Sequence, residues 1–327
     1  MLPFAYEKPK SLDDAVKALA DEGAVPIAGG TTMIDLMKLY VLQPPKLVDI
    51  GGLPGLGEIE ETDDAVVFGA LVRMADAAEH PLLKSDYPAL SEALWLAASP
   101  QIRNMATLGG NVLQRTRCPY FRDTSYRCNR RVPGSGCDAI GGINRLHAVL
   151  GTSETCIASY PGDWAVALAA FDTEVDAVSR AGKRTIAFAD LHLRPDDHPE
   201  RVHALKEGEV ITHVRVKKTP LGKASTYYKV RDRESYAFAL ASVAAALVMD
   251  GETVKDVRLG LGGVASVPWR AREAEDGLKG QELTPETARR AGETAFRDAR
   301  TYDHNAFKVP LGVETVVEAL MSAKTRA

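Results

Sequence analysis

Apolar positions divide the chain into short elements of alternating type. Leu12, Ala15, Val16, Leu19 and Ala20 recur at helical spacing. Ser11 and Asp14 precede them in the pattern of a capping box, and Gly23 is a natural stop. Residues 24–28 read as a strand, Gly29-Gly30-Thr31-Thr32 breaks it, and residues 33–40 are helical again. Residues 46–50 and 65–70 read as strands and 88–98 as a helix. The run DWAVALAAF at 163–171 has a buried-helix pattern. Strand-like runs follow at 174–178, 185–188 and 209–216, with the polar loop PDDHPE at 195–200 between them. Thr219-Pro220-Leu221-Gly222 marks a domain boundary. Beyond it, strands at 225–230, 238–249 and 254–261 precede helices at 285–300 and 314–324, which predicts an α+β layer.

One stretch breaks this rhythm. Between Gln101 and Leu150 hydrophobic periodicity is poor. Eight arginines (Arg103, Arg115, Arg117, Arg122, Arg127, Arg130, Arg131 and Arg145) face two acids, Asp123 and Asp138, in a chain whose net charge is −4. The chain has only four cysteines, all between Cys118 and Cys156. An irregular segment organised by something other than an apolar core is expected here. The rest of the composition is ordinary: 45% hydrophobic and 26% charged over 327 residues, enough for two or three domains. The overall acidity gives no electrostatic reason to bind nucleic acid. The longest near-apolar run, 236–249, is 14 residues, short of the roughly 20 a membrane span needs. The opening MLPFAYEKPKSLDDA has no apolar signal core.

Two glycine pairs carry candidate chemistry. In Pro26-Ile27-Ala28-Gly29-Gly30-Thr31-Thr32 the paired glycines sit between a strand and a helix, where successive N–H groups can converge on an anion such as a diphosphate. Ala106-Thr107-Leu108-Gly109-Gly110-Asn111 repeats the theme. Plain tight turns explain either one alone, and neither is a G-x-G-x-x-G or P-loop fingerprint. The cysteines are spaced Cys118-x9-Cys128-x8-Cys137-x18-Cys156, which is not a zinc-ribbon spacing. Four thiolates make a full ligand set for zinc or for an iron–sulfur cluster; two disulfides and free thiols stay open as alternatives. Asp196, Asp197 and His198 read as a solvated loop rather than a metal site. Trp95, Trp164 and Trp269 read as core, and Tyr227, Tyr228 and Tyr236 suit either strand packing or the wall of a ligand site.

Taken together the motifs resemble the FAD-binding subunits of the xanthine dehydrogenase and molybdenum hydroxylase family. FAYEKPKSLDDAVKAL, PIAGGTTMIDLMK, QIRNMATLGGN and PGDWAVALAAFDTEV carry the match, followed by YYKVRDRESYAFALASVAAAL and GLGGVASVPWRAREAE. The resemblance spans nearly the whole chain. It implies a two-part FAD-binding domain of the PCMH/vanillyl-alcohol-oxidase type over residues 1–220. A CO-dehydrogenase-flavoprotein-like α+β domain, an antiparallel sheet with helices, is implied over 221–327. The chain departs from the common pattern between Asn111 and Pro161, where 49 residues replace a short loop and hold all four cysteines. That insert, at about 112–160, is similar to the one in flavin subunits of three-subunit periplasmic aldehyde oxidoreductases of bacteria, where it holds a [4Fe-4S] cluster.

Carried over by residue, the resemblance implies FAD contacts from Pro26, Ile27, Ala28, Gly29, Gly30, Thr31, Thr32, Met33 and Ile34. It implies further contacts from Thr107, Gly110, Asn111, Asp163 and Lys229, with 191–193 against the ring. Cys118, Cys128, Cys137 and Cys156 would hold the cluster. The implied function is an electron-transfer subunit with no catalytic residue of its own. Its partners would be a large molybdenum-cofactor subunit and a small [2Fe-2S] subunit, with an external acceptor. The implied compartment is the periplasm, by co-export with a partner, or the cytoplasm. A stand-alone flavoprotein oxidase with structural zinc, and a non-enzymatic zinc-stabilised binding module, are the competing readings.

Overall fold

The computed structural model describes residues 1–327. Three sheets organise it. The first is parallel, in the order β1 (Ala5–Glu7), β3 (Lys46–Asp49), β2 (Ala24–Ile27). Parallel pairing requires crossover helices. They are Leu12–Ala18, whose N-cap Ser11 accepts from the Asp14 N–H at 3.1 Å, and Met33–Lys38. The second sheet is antiparallel, β4 (Ile59–Glu61), β5 (Ala65–Gly69), β8 (Val210–Lys217), β6 (Thr173–Ser179), β7 (Gly182–Ala187). Helices Met74–Glu79, Pro81–Asp86, Pro88–Trp95 and Trp164–Ala169 pack with it in the largest core, around Phe68 and Trp164, whose rings meet edge to face at 5.5 Å.

The third sheet, β12 (Trp269–Arg270), β11 (Thr253–Gly262), β10 (Ala241–Asp250), β9 (Ser225–Val230), is antiparallel throughout. Its central strand explains the long apolar run. Ala244 and Ala246 of β10 join the core of the preceding domain. Ala241, Val243, Ala245 and Leu247 join the core shared with helices Arg272–Leu278, Pro285–Ala295 and Lys308–Lys324. A strand buried on both faces shows no polar alternation.

Several boundaries differ from expectation. Residues 231–240 form a loop, so the strand expected from 238 begins at Ala241. The last helix starts at Lys308, six residues before the expected 314. Pro310 falls in its first turn, where a missing N–H costs little, and Gly312 lets Phe296 pack against the backbone. The helix expected to reach 300 ends at Ala295. Trp95, expected in the core, is 55% exposed beneath the Arg103 guanidinium at 4.8 Å. No helix is long and apolar enough to cross a membrane.

The cysteine-bearing insert contains one turn of helix, Pro119–Arg122, and a single bridge between Cys128 and Cys137. It is seated from two sides. Phe121 and Cys128 pack on Leu36, and Arg122 clasps Asp35 with two bonds of 2.7 and 2.9 Å. On the other side Val149 N–H donates to Val264 at 2.8 Å, Asn305 Nδ2 donates to Ala148 at 3.2 Å, and Arg145 pairs with Asp232 at 2.8 Å. The insert thus ties the parallel-sheet layer to the C-terminal domain.

Candidate functional site

A cleft of about 1030 Å³ runs between the parallel sheet, the second glycine turn and the 236–238 loop. Both glycine pairs line it, the second inside a short helix, Leu108–Val112, where the sequence pattern predicted a turn. In the first, Gly30 has φ +70°, which a side chain resists, and the N–H groups of Gly29, Gly30, Thr31 and Thr32 make no hydrogen bond within the protein. Four unpaired amides at the C-terminal end of a parallel strand form an anion cradle. Gly29 is glycine for a different reason: a Cβ there would lie 1.9 Å from the Met105 carbonyl oxygen. The two turns are therefore packed backbone to backbone. Gly109 is needed in the same way, because a Cβ there would lie 2.8 Å from the Ala70 Cβ. Gly110 has more room, 3.3 Å to Thr107 Oγ1.

Of the residues implied by resemblance, Pro26 to Met33, Thr107, Gly110, Asn111 and Asp163 line the cleft. Ile34 stands behind the turn, its side chain 3.2 Å from where a Gly30 Cβ would be. The Asn111 amide oxygen is buried without a partner while its nitrogen faces Met74 Sδ at 3.3 Å, leaving an acceptor at the cleft. Asp163 has its oxygens engaged from behind: Tyr227 Oη donates to one at 2.7 Å and Lys229 Nζ to the other at 2.9 Å. Burial raises the Asp163 pKa and the Lys229 charge opposes this. Lys229 does not line the cleft; its side chain is 1% exposed and reaches the wall only through Asp163. Residues 191–193 do not line the cleft either. Leu191 is fully buried, and His192 and Leu193 line a separate small chamber.

Sequence reasoning missed part of the wall. Arg115, Arg117 and Arg122 all reach the cleft, and Arg117 lies 5.3 Å from the Phe238 ring. Tyr236, one of the tyrosines the sequence offered as a wall, lines it, and like Ala98 (φ +48°) it does so in the left-handed region (φ +52°), a strain that clusters at ligand sites. A single sequence carries no signal for a positive φ at alanine or tyrosine.

None of the four cysteines lines this cleft. They are all free thiols, gathered within electrostatic reach of one another. Burial, with the neighbouring thiols, pushes Cys118 up to about 12 and raises Cys128 and Cys137. Nearby backbone N–H groups oppose this and favour the thiolates: those of Phe121 and Tyr120 for Cys118, Arg130 and Arg131 for Cys128, Ala139 and Ile157 for Cys137. His147 Nε2 stands 3.1 Å from Cys118 Sγ. No three His, Cys, Asp or Glu side chains are close enough to enclose a single metal ion.

Comparison with known proteins agrees with this architecture. Residues 2–218 match the family model of the FAD binding domain in molybdopterin dehydrogenase, and residues 226–320 that of the CO dehydrogenase flavoprotein C-terminal domain. The chain is 45% identical to the aldehyde oxidoreductase FAD-binding subunit PaoB of Escherichia coli K12, covering 100% of both. It is 30% identical to the nicotine 6-hydroxylase medium subunit of Paenarthrobacter nicotinovorans, over 89% of this chain and 86% of that one. A solved structure of carbon monoxide dehydrogenase from Hydrogenophaga pseudoflava superposes with a TM-score of 0.78 at 27% identity, covering 100% of both chains. The chain belongs to the FAD-binding subunits of the molybdenum hydroxylase family of oxidoreductases.

Proposed function

We propose that this chain is the FAD and [4Fe-4S] electron-transfer subunit of a heterotrimeric, molybdenum-dependent aldehyde oxidoreductase. FAD would lie in the cleft, its diphosphate on the Gly29–Thr32 amides and the Thr107-to-Asn111 segment, with Arg117 supplying positive charge. Bound FAD accepts electrons in pairs and releases them singly. The chain's own residues bind and orient it, and Asp163, held by Lys229 and Tyr227, keeps that wall rigid.

What supports the cluster is the four free cysteines gathered in one irregular insert, three of them beside backbone N–H groups that favour the thiolate form. Such donors stabilise thiolates bound to iron and tune the potential. Partners would be a large molybdenum-cofactor subunit and a small [2Fe-2S] subunit, with electrons leaving to an external acceptor. The assembled complex would work in the periplasm, exported on a partner's signal.

The test is purification with and without the neighbouring gene products, followed by flavin extraction and iron and acid-labile sulfide assays. One FAD and about four irons per chain, with aldehyde turnover only in the complex, is the expected result. Zinc without sulfide overturns the cluster, and turnover by the isolated chain overturns the electron-transfer role.

A further inference from the structure

Four carboxylates line the cleft: Asp35, Asp163, Glu207 and Glu209. A free negative charge beside a bound diphosphate would repel it. Three of the four are held by a cation. Lys229 donates to Asp163 at 2.9 Å, Arg184 to Glu209 through two bonds of 2.7 Å, and Arg122 to Asp35 through bonds of 2.7 and 2.9 Å. Glu207, the fourth, is exposed to solvent.

Asp35 stands out by its place. It lies in the first turn of the helix Met33–Lys38, three positions after Thr32, the last residue of the glycine cradle. Residues three apart on a helix have Cβ atoms roughly 5–6 Å apart, so this carboxylate borders the cradle. The bonds from Arg122 hold its carboxyl below the usual carboxylate range, and it is charged at neutral pH. An acid in the first turn favours the helix, but it opposes a second anion at the same end.

Arg122 comes from the insert, between Cys118 and Cys128. Its neighbour Phe121 packs on Leu36, the neighbour of Asp35, so the contact has a fixed register. With the Arg122 fork engaged on Asp35, Arg117 is left facing the cleft without a carboxylate partner.

We propose that Arg122 is a positioning residue of the flavin site: it cancels the Asp35 charge beside the glycine cradle and so lets the diphosphate occupy it. The inference rests on the reading of the cleft as the FAD site. Arg122 acts through Asp35, and the cysteine-bearing insert thereby supplies a charge that the cradle needs but does not itself carry.

The test uses the co-expressed complex carrying Arg122→Gln, Asp35→Asn or both. Arg127→Gln is the control, removing an equal charge from the insert away from the cleft. Melting temperatures are recorded, flavin is removed, and the FAD dissociation constant is measured by flavin fluorescence at low and high salt. Arg122→Gln should weaken FAD binding roughly tenfold, and less at high salt. Asp35→Asn should bind FAD at least as tightly as the unmodified chain, because it frees Arg122 for the diphosphate. The double variant should return to within about threefold of the unmodified chain, and Arg127→Gln should not differ from it. A pair that only braces the fold would weaken FAD binding equally in both single variants. That outcome, or unchanged affinity in Arg122→Gln, overturns the inference. Absence of FAD from the unmodified complex defeats the reading of the cleft itself. If Arg122→Gln does not fold, Asp35→Asn decides: full affinity supports the inference and a tenfold loss at normal melting temperature overturns it.

Discussion

Gly29 and Met105 touch backbone to backbone: a Cβ on Gly29 would lie 1.9 Å from the Met105 carbonyl oxygen and 2.7 Å from its carbon. The contact brings the first glycine turn against the segment that leads into the second, and both border one cleft. Gly29→Ala should therefore separate the turns, with a destabilisation of about 3 kcal/mol, at the upper end for overpacking. Gly110→Ala meets only Thr107 Oγ1 at 3.3 Å and should leave the melting temperature nearly unchanged. Loss of flavin from Gly110→Ala at normal stability would identify a ligand contact, whereas loss from Gly29→Ala accompanies loss of stability. Thermal melts with flavin extraction separate the two.

The Asp163–Lys229 pair is buried on both sides, with side chains 6% and 1% exposed. Asp163→Asn leaves the lysine charge without a counter-charge and should destabilise by about 3–5 kcal/mol. Asp163→Asn with Lys229→Met should recover much of the loss. Denaturant unfolding of the two single variants and the double variant gives the coupling directly; additive losses would show that the pair does not act as a unit.

Cys137→Ser should lower iron and acid-labile sulfide content while FAD is largely retained, because no cysteine borders the cleft. Metal and flavin analysis of the purified complex checks this, and unchanged iron would remove Cys137 from the ligand set.

His192 introduces a pH dependence. Its Nε2 is 2.8 Å from the Val112 carbonyl, its Nδ1 is buried without a partner, and burial lowers its pKa to about 4. At pH above 6.5 the ring is neutral whether the chain is folded or not. As pH falls from 6.5 toward 4, the unfolded chain takes up a proton that the folded chain refuses. Stability falls across that window by about 3 kcal/mol. His192→Gln keeps a donor for Val112 and should make the fall in melting temperature between pH 6.5 and 4 shallower without abolishing it, because burial also lowers His147 and His203; an unchanged slope would assign the acid lability to those other groups.

Much of this protein is written in local sequence. Helical spacing at Leu12 to Ala20 with Ser11 ahead of it, the break at Gly29-Gly30, and the apolar length of β10 each reflect short-range conformational preference and hydrophobic patterning, whereas Gly109-Gly110, read as a turn, lies inside the helix Leu108–Val112. The 49-residue interval between Asn111 and Pro161, with its four cysteines and excess of arginine, is also plain in the sequence. Tertiary structure alone decided which of these residues meet. It put Lys229 behind Asp163 instead of in the cleft, left Trp95 at the surface, and made Gly29 answer to Met105 as well as to a ligand. It also separated the arginines with carboxylate partners from Arg115 and Arg130, which have none. The physical reason is range. Turns and caps depend on neighbours a few residues away, whereas Arg145 with Asp232, or Arg122 with Asp35, lie 87 positions apart in the chain and meet only once the three sheets have packed.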